Sequence, residues 1–268
     1  MKAVRIGAVF RDKCAAGTSA GTVHSVFRRV VNIDVQGDLI ALALTESGGS
    51  SRFLTVAKMC PFKAGEPCVF TPEQASIGNA VIDLREVPLW RSPLPPDTRA
   101  ALSLGTGTSG ETARRFKAAL DRRAGNGVYP NCLITPETAD RWVGFGPGLT
   151  PSGDDALVGF LSIYNHLGGD RLFAEALLSA VSQRLHATTA LSARLLRSAL
   201  CCDYHEAVAI VVAIVCGVTD GDLETALARL FGIGASSGAD IAHGMLLALN
   251  TIIEQSKARA PFDIPIKR

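Results

Sequence analysis

The sequence predicts an α+β protein: a β-rich barrel or sandwich domain over residues 1–92, then an all-α domain over residues 93–268 that carries a glycine-rich loop. Two observations predict this. Before residue 87 apolar positions come in short alternating runs broken by Gly, Asn, Asp and Ser, whereas beyond residue 96 they recur at the helical period of about 3.6 residues. Between the two regimes Pro88, Pro93, Pro95 and Pro96 crowd together, and neither a helix nor a central strand accommodates such a density. With 268 residues, 47% of them hydrophobic, the chain buries a sizeable core without disulfides.

In the first part the strand-like runs are residues 3–10, 22–35, 39–44, 53–57, 67–70 and 80–84. Turn residues such as Gln36-Gly37-Asp38 and Ser47-Gly48-Gly49-Ser50-Ser51 separate them, the pattern of an antiparallel sheet curled on itself. Within Gly21-Thr22-Val23-His24-Ser25-Val26-Phe27, a regular strand puts His24 and Thr22 on the face opposite Val23 and Ser25. A lone strand histidine is ordinarily a surface group or a satisfied core residue. His24 is nonetheless carried forward as a candidate catalytic residue.

Beyond the prolines, helices are expected over residues 97–104, 109–124, 154–167, 171–185, 188–200, 204–216, 223–230 and 238–254, with a short one from Thr135-Pro136-Glu137 to Trp142. Gly105-Thr106-Gly107-Thr108-Ser109-Gly110 reads as a flexible loop and lacks the Lys-Ser/Thr that completes a P-loop, so a nucleoside triphosphate site is unsupported. Thr188, Thr189 and Ser192 cluster at a helix start, where hydroxyls cap free N–H groups.

The chemistry concentrates in Gly144-Phe145-Gly146-Pro147-Gly148-Leu149-Thr150-Pro151-Ser152-Gly153-Asp154-Asp155, which runs straight into an apolar helix. Glycine admits backbone angles and close approaches closed to other residues, and a loop ending in a helix N-terminus offers N–H groups to anions. Thr150 or Ser152 is placed to cap the helix, with Asp154 and Asp155 in its first turn. The same grammar recurs later. Ser152-Gly153-Asp154-Asp155 with Gly159 and Leu161 matches, in register, Ser237-Gly238-Ala239-Asp240 with Gly244 and Leu246. In each copy the second Gly lies one helical turn after the last Asp, on the same face, so the two helices are able to cross at their glycines. Candidate catalytic residues are therefore Asp154, Asp155 and His24. Candidate substrate-binding residues are Gly146, Gly148, Thr150, Ser152, Gly153, Ser237, Gly238 and Asp240, and magnesium is the candidate cofactor through the paired carboxylates.

Several classes are excluded. Net charge is +2 and Lys and Arg are scattered, so neither nucleic acid nor a membrane surface is an expected partner. The longest apolar run, residues 207–218, falls short of the roughly 20 residues a membrane span needs. The first residues lack the apolar region of a signal peptide, and the seven cysteines form no Cys-x-x-Cys pair, so a cytoplasmic protein with free thiols is expected. There is no His-Glu-x-x-His, so zinc hydrolysis has no local support.

The central loop, with Gly21-Thr22-Val23-His24-Ser25-Val26-Phe27 before it and Gly234-Ala235-Ser236-Ser237-Gly238-Ala239-Asp240 after it, resembles the bacterial family that includes the AllH-type subunit of oxamate carbamoyltransferase, whose members have also been labelled carboxylases. The resemblance spans most of the chain. It implies a heteromeric transferase in which this chain works with an acyl-CoA-synthetase-like subunit and a third, larger one. Together they phosphorolyse oxalurate to oxamate and carbamoyl phosphate in anaerobic allantoin breakdown. Ala235 and Ala239 stand where the family carries a bulkier polar residue or His, and Trp. Two further readings stay open: a ligand-binding or scaffold subunit without chemistry of its own, and a metal-dependent hydrolase built on Asp154, Asp155 and Asp240.

Overall fold

The computed structural model describes residues 1–15, 17–94, 106–122, 129–167 and 169–259. They fall into two compact units, Met1–Pro95 with Asp203–Ile210, and Pro96–Cys202 with Val211–Arg268. The fold is α+β, strands in the first unit and helices in the second.

The first unit is one eight-stranded sheet. Its strands are β1 (Ala3–Ile6), β2 (Ser19–Val26), β3 (Val30–Val35), β4 (Asp38–Leu44), β5 (Phe53–Val56), β6 (Pro67–Phe70), β7 (Gln74–Ile77) and β8 (Ala80–Asp83), in the spatial order β1-β5-β4-β3-β2-β6-β7-β8. A bridge between Lys2 and Asp83 joins the two edge strands, so the sheet is a nearly closed barrel. Phe10, Val31, Ile33, Leu42, Leu54 and Phe70 fill it. All ladders are antiparallel except β4 with β5, which is parallel and departs from the antiparallel sheet expected.

Three expectations for this half need correction. Residues 3–10 are not one strand: β1 stops at Ile6 and helix α1 (Ala8–Ala15) follows. At Gly7 the chain passes so close to the Ser50 and Ser51 carbonyls that a Cβ would collide with them, and the Phe10 N–H then donates to Ser51 O at 3.1 Å. Phe10 and Cys14, one turn apart, drive α1 into the barrel, where Phe10 meets Phe70 edge to face at 5.7 Å. Residues 22–35 are likewise two strands, β2 and β3, joined by a hairpin in which the Phe27 N–H donates to Val30 O. And β7, which no sequence run marked, pairs between β6 and β8.

The stretch Asp203–Ile210 is fastened within this unit by polar contacts. Ser51 Oγ donates to Asp203 Oδ2 at 2.5 Å, and Glu206 Oε2 accepts from the Gly49 N–H at 2.5 Å and from Arg5 Nη2 at 3.3 Å. The His205 ring bridges both ends of its contact: Nδ1 accepts from the Ala207 N–H at 3.2 Å, so Nε2 carries the hydrogen that reaches Ser47 O at 2.8 Å.

The second unit holds α2 (Thr106–Arg122), α3 (Ala139–Trp142), α4 (Ser152–Leu167), α5 (Arg171–Arg184), α6 (Ala190–Leu200), α8 (Leu223–Leu230) and α9 (Ser237–Arg259). It also holds the end of α7 (Glu206–Val215). Residues 106–110, expected to be a flexible loop, are the first turns of α2; Gly105 and the helix expected over residues 97–104 lie outside the described residues. Asp170, Thr189 and Asp222 cap α5, α6 and α8 by accepting from the N–H groups of Phe173, Ser192 and Thr225. The centre of the unit is the pair α4 and α9. Helix α4 is buried almost all round, with Leu157, Phe160 and Ile163 at 0% exposure, which explains why its sequence shows so few polar positions.

Candidate functional site

Everything of chemical interest in the second unit gathers where α4 and α9 begin. The loop before α4 turns on Gly144, Gly146 and Gly148, whose φ angles are +75°, +109° and +97°. At Gly144 the need for glycine is twofold, because a Cβ there would also strike Ala187 O. Asp154 fixes this loop. Its Oδ1 accepts from the Gly144 N–H at 2.8 Å, and its Oδ2 accepts from the hydroxyls of Thr188 at 2.5 Å and Ser192 at 2.6 Å. Thr189, besides capping α6, donates its hydroxyl to Leu149 O at 2.6 Å. The three hydroxyls at the start of α6 thus tie it to the loop, and both oxygens of Asp154 are engaged by protein donors.

The two matching motifs meet across the crossing. A Cβ on Gly159 would collide with Ile241 O, and a Cβ on Gly244 with Ala156 O. Ala156 and Ile241 occupy the same place in their respective motifs, as do Gly159 and Gly244, so each helix presents the same glycine to the same carbonyl of the other. The first glycines are also contact points: Gly153 lies against Trp142 O and Gly238 against Leu230 O, with no room for a side chain. At the mouth of the crossing the hydroxyls of Thr150 and Ser237 are 3.0 Å apart.

This two-fold relation brings Asp155 and Asp240, the equivalent last residues of the two motifs, to one buried place. They are 2% and 1% exposed. Asp155 is hydrogen-bonded by the Ser237 and Thr150 hydroxyls, and Asp240 Oδ1 accepts from the Tyr129 hydroxyl at 2.6 Å. Among the described residues the other oxygen of each, Oδ2, is buried without a partner. Buried polar atoms are normally bonded, so two such oxygens at one site are an unmet demand for donors. Burial, chiefly, pushes the Asp155 carboxyl up to about 7; the Ser237 and Thr150 hydroxyls oppose this while the charges of Asp240 and Asp154 reinforce it.

Beside the carboxylates lies an aromatic wall. The Tyr129 ring stacks flat on His243, with centroids 4.0 Å apart and planes at 9°, and lies 6.3 Å from Trp142. Burial holds His243 below the ordinary histidine range against the opposing pull of Asp240, and burial together with the Asp240 hydrogen bond keeps the Tyr129 phenol protonated. A cavity of about 350 Å³ opens against these rings, lined also by Asn131, Cys132 and Leu133. Tyr129 and His243 were not among the residues expected from the sequence. His243 is legible in hindsight, three residues after Asp240 on α9, but Tyr129 sits in no motif.

The other candidates fall elsewhere. His24 belongs to the first unit, exposed at a bulge of β2 where two residues oppose one on β3, with Nδ1 3.2 Å from Ser25 Oγ. Gly146 and Gly148 shape the loop through their positive φ angles, Ser152 opens α4, and the Asp154 and Asp155 N–H groups both donate to Pro151 O. Carboxylates and hydroxyls are the donor class magnesium prefers. Among the described residues no group of three or more His, Cys, Asp or Glu is arranged to hold a metal ion.

Comparison with known families places the same residues in context. Residues 2–89 match the AllH family N-terminal domain, and residues 142–249 match the family described as oxamate carbamoyltransferase subunit AllH. The second match begins at Trp142 and takes in both motifs. No curated protein and no solved structure matches the chain.

Proposed function

This chain belongs to the AllH family, and on that footing we propose that it is a subunit of a carbamoyltransferase whose carbamoyl-bearing substrate is held at Asp155 and Asp240. The observation that carries the reading is the pair of buried, unpartnered carboxylate oxygens. Such oxygens accept hydrogen bonds and repel anions, so the part of a ligand that satisfies them carries N–H groups. A carbamoyl or ureido group supplies them, and the gain is large because the protein leaves these acceptors unmet without it.

The loop suits the other end of such a molecule. Among the described residues the N–H groups of Gly146 and Gly148 find no partner, and they precede a helix N-terminus, the setting in which a carboxylate or phosphate is held. A substrate with an amide at one end and an anion at the other, as oxalurate, oxamate and carbamoyl phosphate all are, matches that polarity. Asp154 works through the loop as a positioning residue, by holding Gly144 and the start of α6 together. Catalysis of this kind rests on placement and preorganised dipoles more than on a nucleophile.

The partners in this proposal are an acyl-CoA-synthetase-like subunit and a larger one. A cytoplasmic setting accompanies it: all seven cysteines are free thiols, and among the described residues no helix is long and apolar enough to cross a membrane. Calorimetric titration of the full chain with oxamate tests the site. Binding by the wild type and at least tenfold weaker binding by Asp240→Asn, with the thermal transition retained, is expected. Equal affinity in the two, or no binding by the wild type, overturns the assignment.

A further inference from the structure

We propose that Tyr129 is a specificity-determining residue of the Asp155 and Asp240 site, its hydroxyl positioning Asp240 and its ring closing the site towards the neighbouring cavity. The ligand class rests on the reading above; what is added is the restriction that the site admits a carbamoyl nitrogen carrying only hydrogens.

Tyr129 is held from several directions. Its hydroxyl donates to Asp240 Oδ1 at 2.6 Å. Its ring lies flat on His243 with centroids 4.0 Å apart, and His243 follows Asp240 by three residues on α9, so hydroxyl and ring engage neighbouring positions of one helix face. The segment that Tyr129 heads is pinned at its far end as well, because Leu133 O accepts from the Trp142 indole N–H at 3.4 Å and from the Thr138 hydroxyl at 2.5 Å. A side chain locked at hydroxyl, ring and backbone does not step aside when a ligand arrives.

The hydroxyl breaks the two-fold relation of the motifs. Asp155 is served by Ser237, a motif residue of the opposite helix. The equivalent donor for Asp240 would be Ser152, but Asp240 Oδ1 receives Tyr129, which belongs to neither motif. This bond fixes the rotation of the Asp240 carboxyl group and makes Oδ2 the oxygen that meets a ligand N–H.

The ring sets the size of what fits there. Tyr129 and His243 line the cavity of about 350 Å³, whose walls include Trp142, Leu133 and Leu247. One side chain therefore touches Asp240 through its oxygen and the cavity through its ring, and it partitions the polar site from the apolar space. A carbamoyl N–H directed at Asp240 points at this partition. Replacing that hydrogen by an alkyl group both removes a hydrogen bond to Asp240 and drives carbon against the Tyr129 ring, so primary carbamoyl groups are admitted and N-alkylated ones are refused.

Calorimetric titration of the full-length chain with oxamate and with N-ethyloxamate tests this, because a merely structural loss lowers both affinities together and leaves their ratio unmoved. The wild type is expected to prefer oxamate by at least about tenfold. Tyr129→Phe keeps the ring but drops the hydroxyl, and should bind oxamate about tenfold more weakly while still rejecting N-ethyloxamate. Tyr129→Ala joins the cavity to the site and should bring the ratio to about one or invert it. Tyr129→Leu, which keeps an apolar side chain over His243, should move the ratio the same way and carries the test should Tyr129→Ala fail to fold. Equal binding of the two ligands by the wild type, a ratio unmoved in the Ala or Leu variant, or full oxamate affinity in Tyr129→Phe overturns this inference and leaves the site assignment standing. Binding of neither ligand by the wild type overturns both.

Discussion

Replacing Gly244 by Ala should destabilise the second unit, although the same exchange in an exposed helix does the reverse. In a helix interior Ala is favoured over Gly by about 1 kcal/mol. At Gly244, however, the added methyl lands on Ala156 O, a backbone atom of α4 that cannot rotate away as a side chain would. Relief requires the two helices to separate, and overpacking of this kind costs roughly 3 kcal/mol or more where the obstacle is rigid. The net expectation is a loss of about 2 kcal/mol after subtracting the propensity gain. Gly110, in α2, is the matched control, since a Cβ there meets nothing within 4 Å. Gly110→Ala should therefore gain up to about 1 kcal/mol. Urea unfolding of both variants gives the comparison through the midpoints at constant m-value. A Gly244→Ala chain as stable as Gly110→Ala would show that α4 and α9 do not meet at their glycines, and the juxtaposition of Asp155 with Asp240 would fall with it.

Other expectations follow from single contacts. Asp154→Ala strands the Gly144 N–H and the Thr188 and Ser192 hydroxyls, and should cost about 3 kcal/mol or more in urea unfolding; a loss under about 1 kcal/mol would mean that the loop is held by something else. Burial holds the His205 ring below the ordinary histidine range, so the unfolded chain takes up this proton at higher pH than the folded one. The stability it contributes is complete above about pH 6.5 and is lost as pH falls below that value, and His205→Asn should flatten this slope; an unchanged slope refutes it. Asp155 acts with the opposite sign. Its raised carboxyl lets the folded chain keep a proton the unfolded chain gives up, so its contribution is present near pH 4 and is lost as pH rises through about 7, a fall that Asp155→Asn should remove from the stability profile.

The arrangement of α4 and α9 was legible because its cause is local. A helix face with Gly one turn after Asp announces a close approach, and its repetition at Ser152 and Ser237 announces the partner. The same holds for the helix periods and for the cap at Thr189, at the start of α6. What escaped the sequence was set by distant backbone. The break after Ile6 comes from the Ser50 and Ser51 carbonyls, the parallel register of β4 with β5 from how the barrel closes, and the fastening of residues 203–210 from Gly49 and Ser51, more than 150 positions away. At the site the missing residue was Tyr129, whose hydroxyl reaches Asp240 across 111 positions of sequence. A tyrosine with no motif around it carries no local sign of that reach. Asp154 and Asp155 are neighbours with opposite fates, because about 100° of helical rotation sends one into the hydroxyls of α6 and the other to Asp240.

Turnover of the native assembly, isolated through a tag on this chain, is the most direct test of the carboxylate pair. With oxamate and carbamoyl phosphate as substrates, Asp155→Asn and Asp240→Asn should each lower kcat by about a hundredfold or more, the usual loss when a positioned acid or base is removed. The assembly should remain intact and the thermal transition should be no lower than in the wild type, because each change removes a buried charge or acid rather than a packed apolar group. Gly110→Ala, remote from the crossing, should turn over normally in the same preparation. Full activity in both Asp variants, or a loss that tracks only a lowered melting temperature, would contradict the assignment of Asp155 and Asp240 as the substrate site.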